Sequence, residues 1–538
     1  MITLVPFIVL LLTSIAILVI RFTRPRFSYH WLLAACGALL AWLVVLIAQM
    51  WIPAQRVIMT WQPDELFPIS PTLLLDDFSW PFALALATLT LAAILTDVIH
   101  PLQVEQSRSN WSDVAGWLAI SAVGLLVIMA GNLVTLLLSW SALDVLEISI
   151  RLPKARENEQ VEKIVKDFSV RIFSLLLVLW AGMLMDVAGQ PLSWEGITSQ
   201  AAQFLLLAVF IRVGILPIRT SISGELSLSR TNRIFSKLVP AFTSLAVLPR
   251  IAPPEYSGVA GTFPVLSMVL LAWLGISALF CSLSWANASD EMEGLSFWIV
   301  GVAALSLAST LLGQPTASAV WGIALLLSGG ILFVFSLRRE WLLPLPLLGA
   351  VFFAAIPLTP TWQGVTLYTS HFNLITILLM IDHGLLLGGY LRHSLRPSGA
   401  SSKAERWTWI LLPFSLFLLL LIQLAIAWWS VTSPAGASLS SLPWSGWWPG
   451  FIVLTLAGLY LFWSYRGHSF PSHPLALLKY VLSFEWLNHF TRIIHKFLMA
   501  FFFRINLTLE GKAGILWAML ILTLLLSFAS QVLAGIDF

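Results

Sequence analysis

Six ionisable side chains interrupt stretches otherwise built from Leu, Val, Ile, Ala and Phe: Asp144, Glu147, Arg212, Lys237, Asp382 and His383. Inside a run long enough to cross a bilayer, each is costly unless it is paired, neutralised or reached by water. A chain of such groups can pass protons along, because a carboxyl and a base shift each other's proton affinity. Asp144 falls about 12 residues into its run, near mid-membrane at ~1.5 Å per residue. Glu147 has Arg151 four residues on, so an ordinary (i, i+4) ion pair competes with an ion path. Arg212 keeps its proton under any reachable condition and can only be a fixed charge. Lys237 titrates, and is either a base in a path or a member of a basic connection with Arg230 and Arg233, snorkelling to the surface. Asp382 and His383 form a deep acid–imidazole couple that is either a proton site, a local hydrogen-bonded pair or a contact for a partner. Pro217, in Gly214-Ile215-Leu216-Pro217, and Pro357, in Ala355-Ile356-Pro357-Leu358-Thr359-Pro360, break two further apolar runs. Such kinks free backbone groups within the membrane and also occur in helices with no transport role.

Composition decides what must position these residues. The chain has 538 residues, 59% hydrophobic and 10% charged, which excludes a water-soluble enzyme with one anchor. Cys36 and Cys281 both lie in apolar runs and provide neither a disulfide framework nor a metal-ligand set. Glycine loops for nucleotides, metal-ligand clusters and catalytic triads are not found, so no catalytic residue, cofactor, metal or nucleic-acid partner is expected of this chain. The fold class expected is an all-α polytopic membrane protein.

By the length criterion there are about 16 spans. They begin near Ile2, Trp31, Ser79, Val114, Asn132, Phe168, Gln200, Arg233, Phe263, Gly294, Thr316, Leu343, Ser370, Trp407, Trp448 and Lys512. The first lacks a basic leader and a small-residue cleavage site and is expected to be retained. Lysine and arginine concentrate after odd-numbered spans: Arg21 to Arg26, Arg151 to Lys166, Arg219 to Arg233, Arg338 and Arg339, Arg392 to Arg406, and Arg466 to Arg504. Even connections hold only Arg56 and Arg250, with acids such as Asp64, Glu65, Asp186 and Glu195. The positive-inside rule then places both termini on the outer face. One inner turn, Asp290-Glu291-Met292-Glu293, is acidic and is either a solvated turn or an altered contact. Tryptophans such as Trp428, Trp429, Trp444, Trp447 and Trp448 suit interfacial anchoring.

From about Pro474 to Asn506, Glu485, Asn488, His489, Arg492, His495, Lys496 and Arg504 make a polar stripe, while Leu482, Phe484, Ile493, Ile494, Phe497 and Leu498 fall opposite. This is the pattern of an amphipathic helix along the membrane surface, either bracing neighbours or merely connecting. The two broken runs lie five spans apart, an odd offset that gives them opposite orientation, as in inverted-repeat transporters. The expected organisation is three helices in 1–110, a first inverted repeat in 111–253, a second in 254–392, helices 14 and 15 in 393–465, an amphipathic lateral segment in 466–511 and an anchor helix in 512–538.

In their order, several segments resemble the antiporter-like subunits shared by respiratory complex I (NADH:quinone oxidoreductase), membrane-bound hydrogenases and Mrp-type cation/proton antiporters. Leu75-Asp76-Asp77-Phe78-Ser79 looks like the run before that family's third helix, and Asn132 to Trp140 like its fifth. Ile211 to Pro217 looks like its broken seventh, and Ile356 to Thr359 like the break of its twelfth. The match runs over roughly residues 70 to 390, and the amphipathic segment with its anchor is similar to the lateral helix of the longest members.

The resemblance implies proton or Na⁺ movement through buried ionisable residues, and each family position can be checked. The glutamate of helix 5 aligns with Ser141, leaving Asp144, one turn on, as the replacement carboxylate and Glu147 beyond it. The lysine of helix 7 aligns with Arg212, for which Asp144 is the expected partner because helices 5 and 7 are neighbours in that family. Lys237 matches the Lys or His of helix 8. The helix 11 lysine falls at Gly322 or a neighbour, and the charged end of helix 12 near Gln363 to Val365, none of which ionises. The acidic turn stands where a basic contact is usual. The expectation is a divergent subunit of a multi-subunit complex in a bacterial inner membrane, with translocation impaired or rewired. A structural paralogue that does not pump, or the membrane subunit of an ion-coupled inorganic-carbon uptake complex, are the alternatives. Other membrane subunits, the lipid bilayer, H⁺ or Na⁺, and a peripheral redox or carbonic-anhydrase-like module are the partners implied.

Overall fold

Apolar runs of this length become helices because lipid offers no partner for backbone N–H and C=O groups, which must therefore be paired within the segment. The computed structural model describes residues 2–24, 29–60, 69–97, 110–155, 157–219, 229–251, 264–335, 340–369, 373–396, 408–432, 446–467, 472–484, 493–494, 496–504 and 519–527. Arg26, Asp64, Glu65, Arg338, Arg339, Arg406, Trp444, Glu485, Asn488, His489, Arg492 and His495, and the expected span starts at Phe263, Ser370, Trp407 and Lys512, lie outside the described residues.

The first half comprises α1 (Val5–Thr23), α2 (His30–Ala48), β1 (Ala54–Val57), β2 (Thr72–Leu75), α3 (Ser79–Asp97), α4 (Asn110–Ile128), α5 (Leu133–Arg151), α6 (Asn158–Val187), α7 (Ser199–Val213), α8 (Arg230–Leu245) and α9 (Leu248–Ile251). The second comprises α10 (Pro264–Asn287), α11 (Glu291–Leu311), α12 (Pro315–Val334), α13 (Pro344–Phe353), α14 (Thr366–Thr369), α15 (Leu374–Ser394), α16 (Thr408–Thr432), α17 (Trp447–Tyr465) and α18 (Ser472–Leu482). Among the described residues, 13 helices are long and apolar enough to span a membrane, and the two shorter apolar helices are the expected broken ones, Ser199–Val213 and Glu340–Phe353. The chain is an all-α, multi-pass membrane protein.

Within residues 1–475, which form one compact unit, α3 and α11 are almost wholly buried, whereas only a third or less of α1, α2, α6 and α17 is buried. Central helices are apolar all round and perimeter helices face lipid or other chains. The connection before α3 contains an antiparallel strand pair with Ala54 opposite Leu75 and Val57 opposite Thr72. In β2, Leu73 and Leu75 point inward while Thr72 and Leu74 are half-exposed, the period-2 burial of a strand.

Two of the motifs that carried the family resemblance are helix N-caps. Ser79 N donates to Asp76 Oδ1 (2.7 Å) and Asp76 N to Ser79 Oγ (2.8 Å), a reciprocal box at the start of α3. Asn132 Oδ1 takes the N–H and the hydroxyl of Thr135 at the start of α5 (2.8 and 2.7 Å), while its amide reaches Ser70 O (2.8 Å).

In the second unit, residues 476–538, the expected lateral helix is interrupted: α18 ends at Leu482, and Phe484 takes a left-handed backbone with φ 55°. Residues 493–494, 496–504 and 519–527 are again helical.

Candidate functional site

The break after α7 sets the site. Gly214, at φ 84°, supplies the left-handed residue that ends the helix, a conformation a side chain would strain. Ile215 and Ile218 then pair across Pro217. The carbonyls so freed are claimed by neighbours: Arg219 Nη2 donates to Ile211 O, and Trp273 Nε1 on α10 to Ile215 O (3.0 Å).

Arg212, in the last turn of α7, projects onto α5 and meets Asp144 with two parallel bonds, Nη1 to Oδ2 at 2.8 Å and Nη2 to Oδ1 at 2.7 Å. Both side chains are 1% exposed. Trp140, one turn before Asp144, lays its ring 4.4 Å from the guanidinium carbon, and Ser174 Oγ accepts from Nη1 at 3.4 Å. Arg171 on α6 binds Glu147 through both amino groups, with Nη1 also 3.4 Å from Asp144 Oδ1. Arg151 donates to Glu147 Oε1 (2.9 Å) and lies 3.7 Å from Asp167. The structure therefore brings together Asp144, Glu147 and Arg212 and adds Arg151, Arg171 and Asp167, three guanidinium ions against three carboxylates. A cleft of about 210 Å³, mouth included, opens beside them between α5 and α6.

This arrangement fixes charge. Every cation in the cluster is an arginine, which cannot give up its proton to a neighbour. Both oxygens of Asp144 are occupied, and Glu147 has the (i, i+4) partner expected from sequence plus a second one across the helix pair. Arg171 escapes a reading of the sequence that begins the sixth span near Phe168. A signal for it exists: Glu159, Lys163, Asp167 and Arg171 recur every four residues, one face of a helix that begins at Asn158, and Lys163 does pair with Glu159 (3.1 Å).

The second break is built differently. After Phe353, Ala355 and Leu358 adopt positive φ values (52° and 68°). Thr361 closes the gap, its hydroxyl donating to Phe352 O (2.6 Å) and accepting from Ala355 N (3.0 Å). His383 on α15 completes it: Nε2 bonds Phe353 O (2.8 Å), so Nε2 carries the hydrogen, and Nδ1 accepts from Tyr368 OH (3.1 Å). Asp382 and His383 are thus not a hydrogen-bonded pair. Adjacent helical residues point about 100° apart, and both ring nitrogens are already used. Asp382, fully buried, has no hydrogen-bond partner for either oxygen among the described residues, and the adjacent Ser282 hydroxyl is turned to Leu279 O (3.1 Å). On α12, Gly322 is packed so tightly that a Cβ would lie 3.0 Å from Phe82. Next to it, Ser306, Thr310 and Ser318 form a closed hydroxyl cluster.

Lys237 lies outside the arginine cluster in the described contacts: its amine donates to Ser296 Oγ (3.0 Å) on α11, turned into the bundle rather than out to the surface. The acidic turn is not simply solvated. Asp290 caps α11, and Glu291, 5% exposed, pairs with Arg230 at 3.0 Å. Arg250, an exception to the charge asymmetry, is also consumed structurally, donating to Ala130 O (2.8 Å) and Asp76 Oδ1 (3.0 Å). Burial alone would raise the Asp76 carboxyl, but Arg250 and the two Ser79 bonds outweigh it and hold the group below its usual range.

No protein-family model matches the sequence, and no curated protein matches it. Solved structures match by fold. A chain in the structure of the Mrp complex from Dietzia sp. DQ12-45-1b superposes over 98% of this chain with a TM-score of 0.73 and 14% identity. A chain of the membrane-bound sulfane sulfur reductase, an archaeal respiratory membrane complex, matches over 96% with a TM-score of 0.66 and 14% identity, covering 99% of its own length. A chain of respiratory complex I from Thermus thermophilus with bound aureothin matches over 78% with a TM-score of 0.55 and 16% identity, covering 97% of its own length. The present chain spans 63% of the length of the Mrp chain. At these identities the likeness is one of architecture, and the chain has the fold shared by membrane subunits of these three complexes, as its motif order led us to expect.

Proposed function

We propose that this chain is a membrane subunit of a multi-subunit, energy-converting complex in a bacterial inner membrane, with both termini on the outer face. Its first inverted repeat, residues 111–253, has exchanged an ion relay for an arginine–carboxylate lock. The observation that carries this reading is the pair of hydrogen bonds from Arg212 to Asp144, at 2.7 and 2.8 Å between side chains that are each 1% exposed. A relay needs a group that releases its proton when its neighbour's charge changes, and the only cations in the described cluster are guanidinium ions. The subunit then acts chiefly as a scaffold beside other membrane subunits. A peripheral redox or carbonic-anhydrase-like module supplies the chemistry for which this chain has no residues.

One observation favours a second reading, in which H⁺ or Na⁺ still moves through the second repeat, residues 254–392. Asp382 is a buried carboxyl that no described hydrogen bond commits to structure. Both readings are tested by flux of H⁺ and Na⁺ in sealed vesicles holding the native complex, with assembly measured in parallel. For the lock, Asp144→Asn and Lys237→Ala leave flux per assembled complex within about twofold, and Asp144→Asn lowers only the amount assembled. A tenfold or greater fall in flux per assembled complex in either variant defeats it. The same fall confined to Asp382→Asn selects the second reading.

A further inference from the structure

The two breaks differ in what covers them. At Pro217 the irregular turn is enclosed, with Ile215 buried and its carbonyl bonded by Trp273. At Pro357 the turn from Ile356 to Thr359, closed by Thr359 N on Ile356 O (3.1 Å), comes to the side of the bundle, and Leu358 is 83% exposed. This chain covers one flank of the break: a Cβ on Gly450 of α17 would lie only 2.6 Å from Ala355 O. On the open flank, neither the N–H nor the carbonyl of Leu358 has a hydrogen bond among the described residues.

Depth makes this exposure informative. Arg338, Arg339 and Glu340 belong outside the hydrocarbon, and α13 (Pro344–Phe353) then advances ~15 Å at ~1.5 Å per residue, half of a core ~30 Å thick. The turn therefore lies near mid-membrane. Lipid offers no partner to an N–H or a carbonyl at that depth, and irregular backbone is tolerated there only against protein or water. The α13 side chains exposed before the turn, Leu348 and Val351, are hydrocarbon, which suits a packed helix and not a water-filled path. Leu358 also holds φ 68°, a conformation that leucine rarely takes and keeps where its surroundings impose it.

We propose that a transmembrane helix of a neighbouring subunit docks on this face, receives the Leu358 side chain between small residues, and bonds its backbone through a serine, threonine, asparagine or glutamine side chain. The proposal rests on the reading that the chain works in a multi-subunit complex, and it names the face and the chemistry of one contact.

The test is photocrosslinking in the native complex, with p-benzoylphenylalanine in place of Leu348 or Val351 and the crosslinked peptide identified by mass spectrometry. Both positions should capture one membrane-spanning segment of a different subunit, carrying such a polar residue among small ones. Leu358→Trp is too large for the socket, whereas Leu358→Gly accepts φ 68° without strain and so keeps the turn while losing the side chain. Each should lower the crosslink yield about 3- to 20-fold, the range of one interhelical contact within a membrane. The size of the purified assembly separates this proposal from the reading beneath it: a chain that purifies alone defeats both. With the complex intact, crosslinks to lipid alone or to a second copy of this chain overturn the docking face, as does a yield unchanged in both Leu358 variants. Rapid reaction of Leu358→Cys, in a Cys36→Ser background, with a charged thiol reagent also overturns it, because the break would then be lined by water.

Discussion

The break after α7 and the break after α13 each leave helix-end carbonyls inside the bundle, and the two regions satisfy them with different chemistry. At the first, the freed carbonyls are met by Arg219 and Trp273, and the last helical turn carries Arg212 into a cluster of three guanidinium ions and three carboxylates. At the second, a threonine hydroxyl, a neutral imidazole and a tyrosine do the work, with a hydroxyl cluster and a packed glycine alongside. Charge in the first region is carried by arginines and immobile; the second is nearly uncharged and keeps one carboxyl uncommitted. Two halves that hold the same kind of irregular backbone need not share a mechanism, because the backbone asks only for hydrogen-bond partners and takes them from charged or neutral groups alike.

The contrast can be broken most directly at Arg212. Arg212→Met leaves Asp144 buried with only the longer contact to Arg171, and removal of one partner of a buried pair costs about 3–5 kcal/mol. If the lock is structural, Arg212→Met combined with Asp144→Leu recovers most of that loss, since replacing both partners removes the stranded charge. Thermal unfolding of the purified complex in nanodiscs checks both. A single variant costing less than about 1 kcal/mol would mean that water reaches the carboxylate and the site is open. The neutral region predicts a smaller effect: His383→Leu strands one carbonyl at Phe353 and one tyrosine hydroxyl, a cost of about 1–3 kcal/mol. Hydrogen exchange should rise at the break, residues 354–361, and stay unchanged around α7. Equal destabilisation of both breaks by His383→Leu would mean that the two regions unfold as one unit, and the contrast between them would lose its energetic meaning.

The fold is legible in the sequence because span length, charge asymmetry and proline breaks are each set by the bilayer, and a bilayer constrains sequence strongly. The Arg212–Asp144 pairing is legible too, since an arginine that deep needs a carboxylate or carbonyl partner and the family resemblance makes the fifth and seventh helices neighbours. The cluster around it is not, because Arg171 sits where an inner charged segment continues into a span without a break. Starting that span at the end of the charged residues hides their four-residue spacing. Adjacency in sequence points to His383 as a partner of Asp382. Its real partner, Phe353 O, is a backbone group 30 residues away, and no residue type announces it. The strand pair of β1 and β2 is hidden for a related reason: four-residue strands give too few alternations to stand out from a loop.

The smallest expected effect carries the comparison outside the membrane. If charge in the first half serves structure, the Asp76–Arg250 clamp should report in stability and not in flux. The Asp76 carboxyl lies below its usual range in the folded chain, so the unfolded state takes up its proton first as pH falls. The clamp's contribution is therefore complete above the ordinary carboxylate range and is lost as pH drops through the lower, folded value. Asp76→Asn should lower stability at neutral pH by about 1 kcal/mol or less, the scale of a partly exposed pair. It should also flatten the acid limb of a plot of unfolding temperature against pH, while leaving flux per assembled complex unchanged. A variant that keeps the acid limb and loses flux would make Asp76 a gate residue, and the first half would then have to be granted a working carboxylate after all.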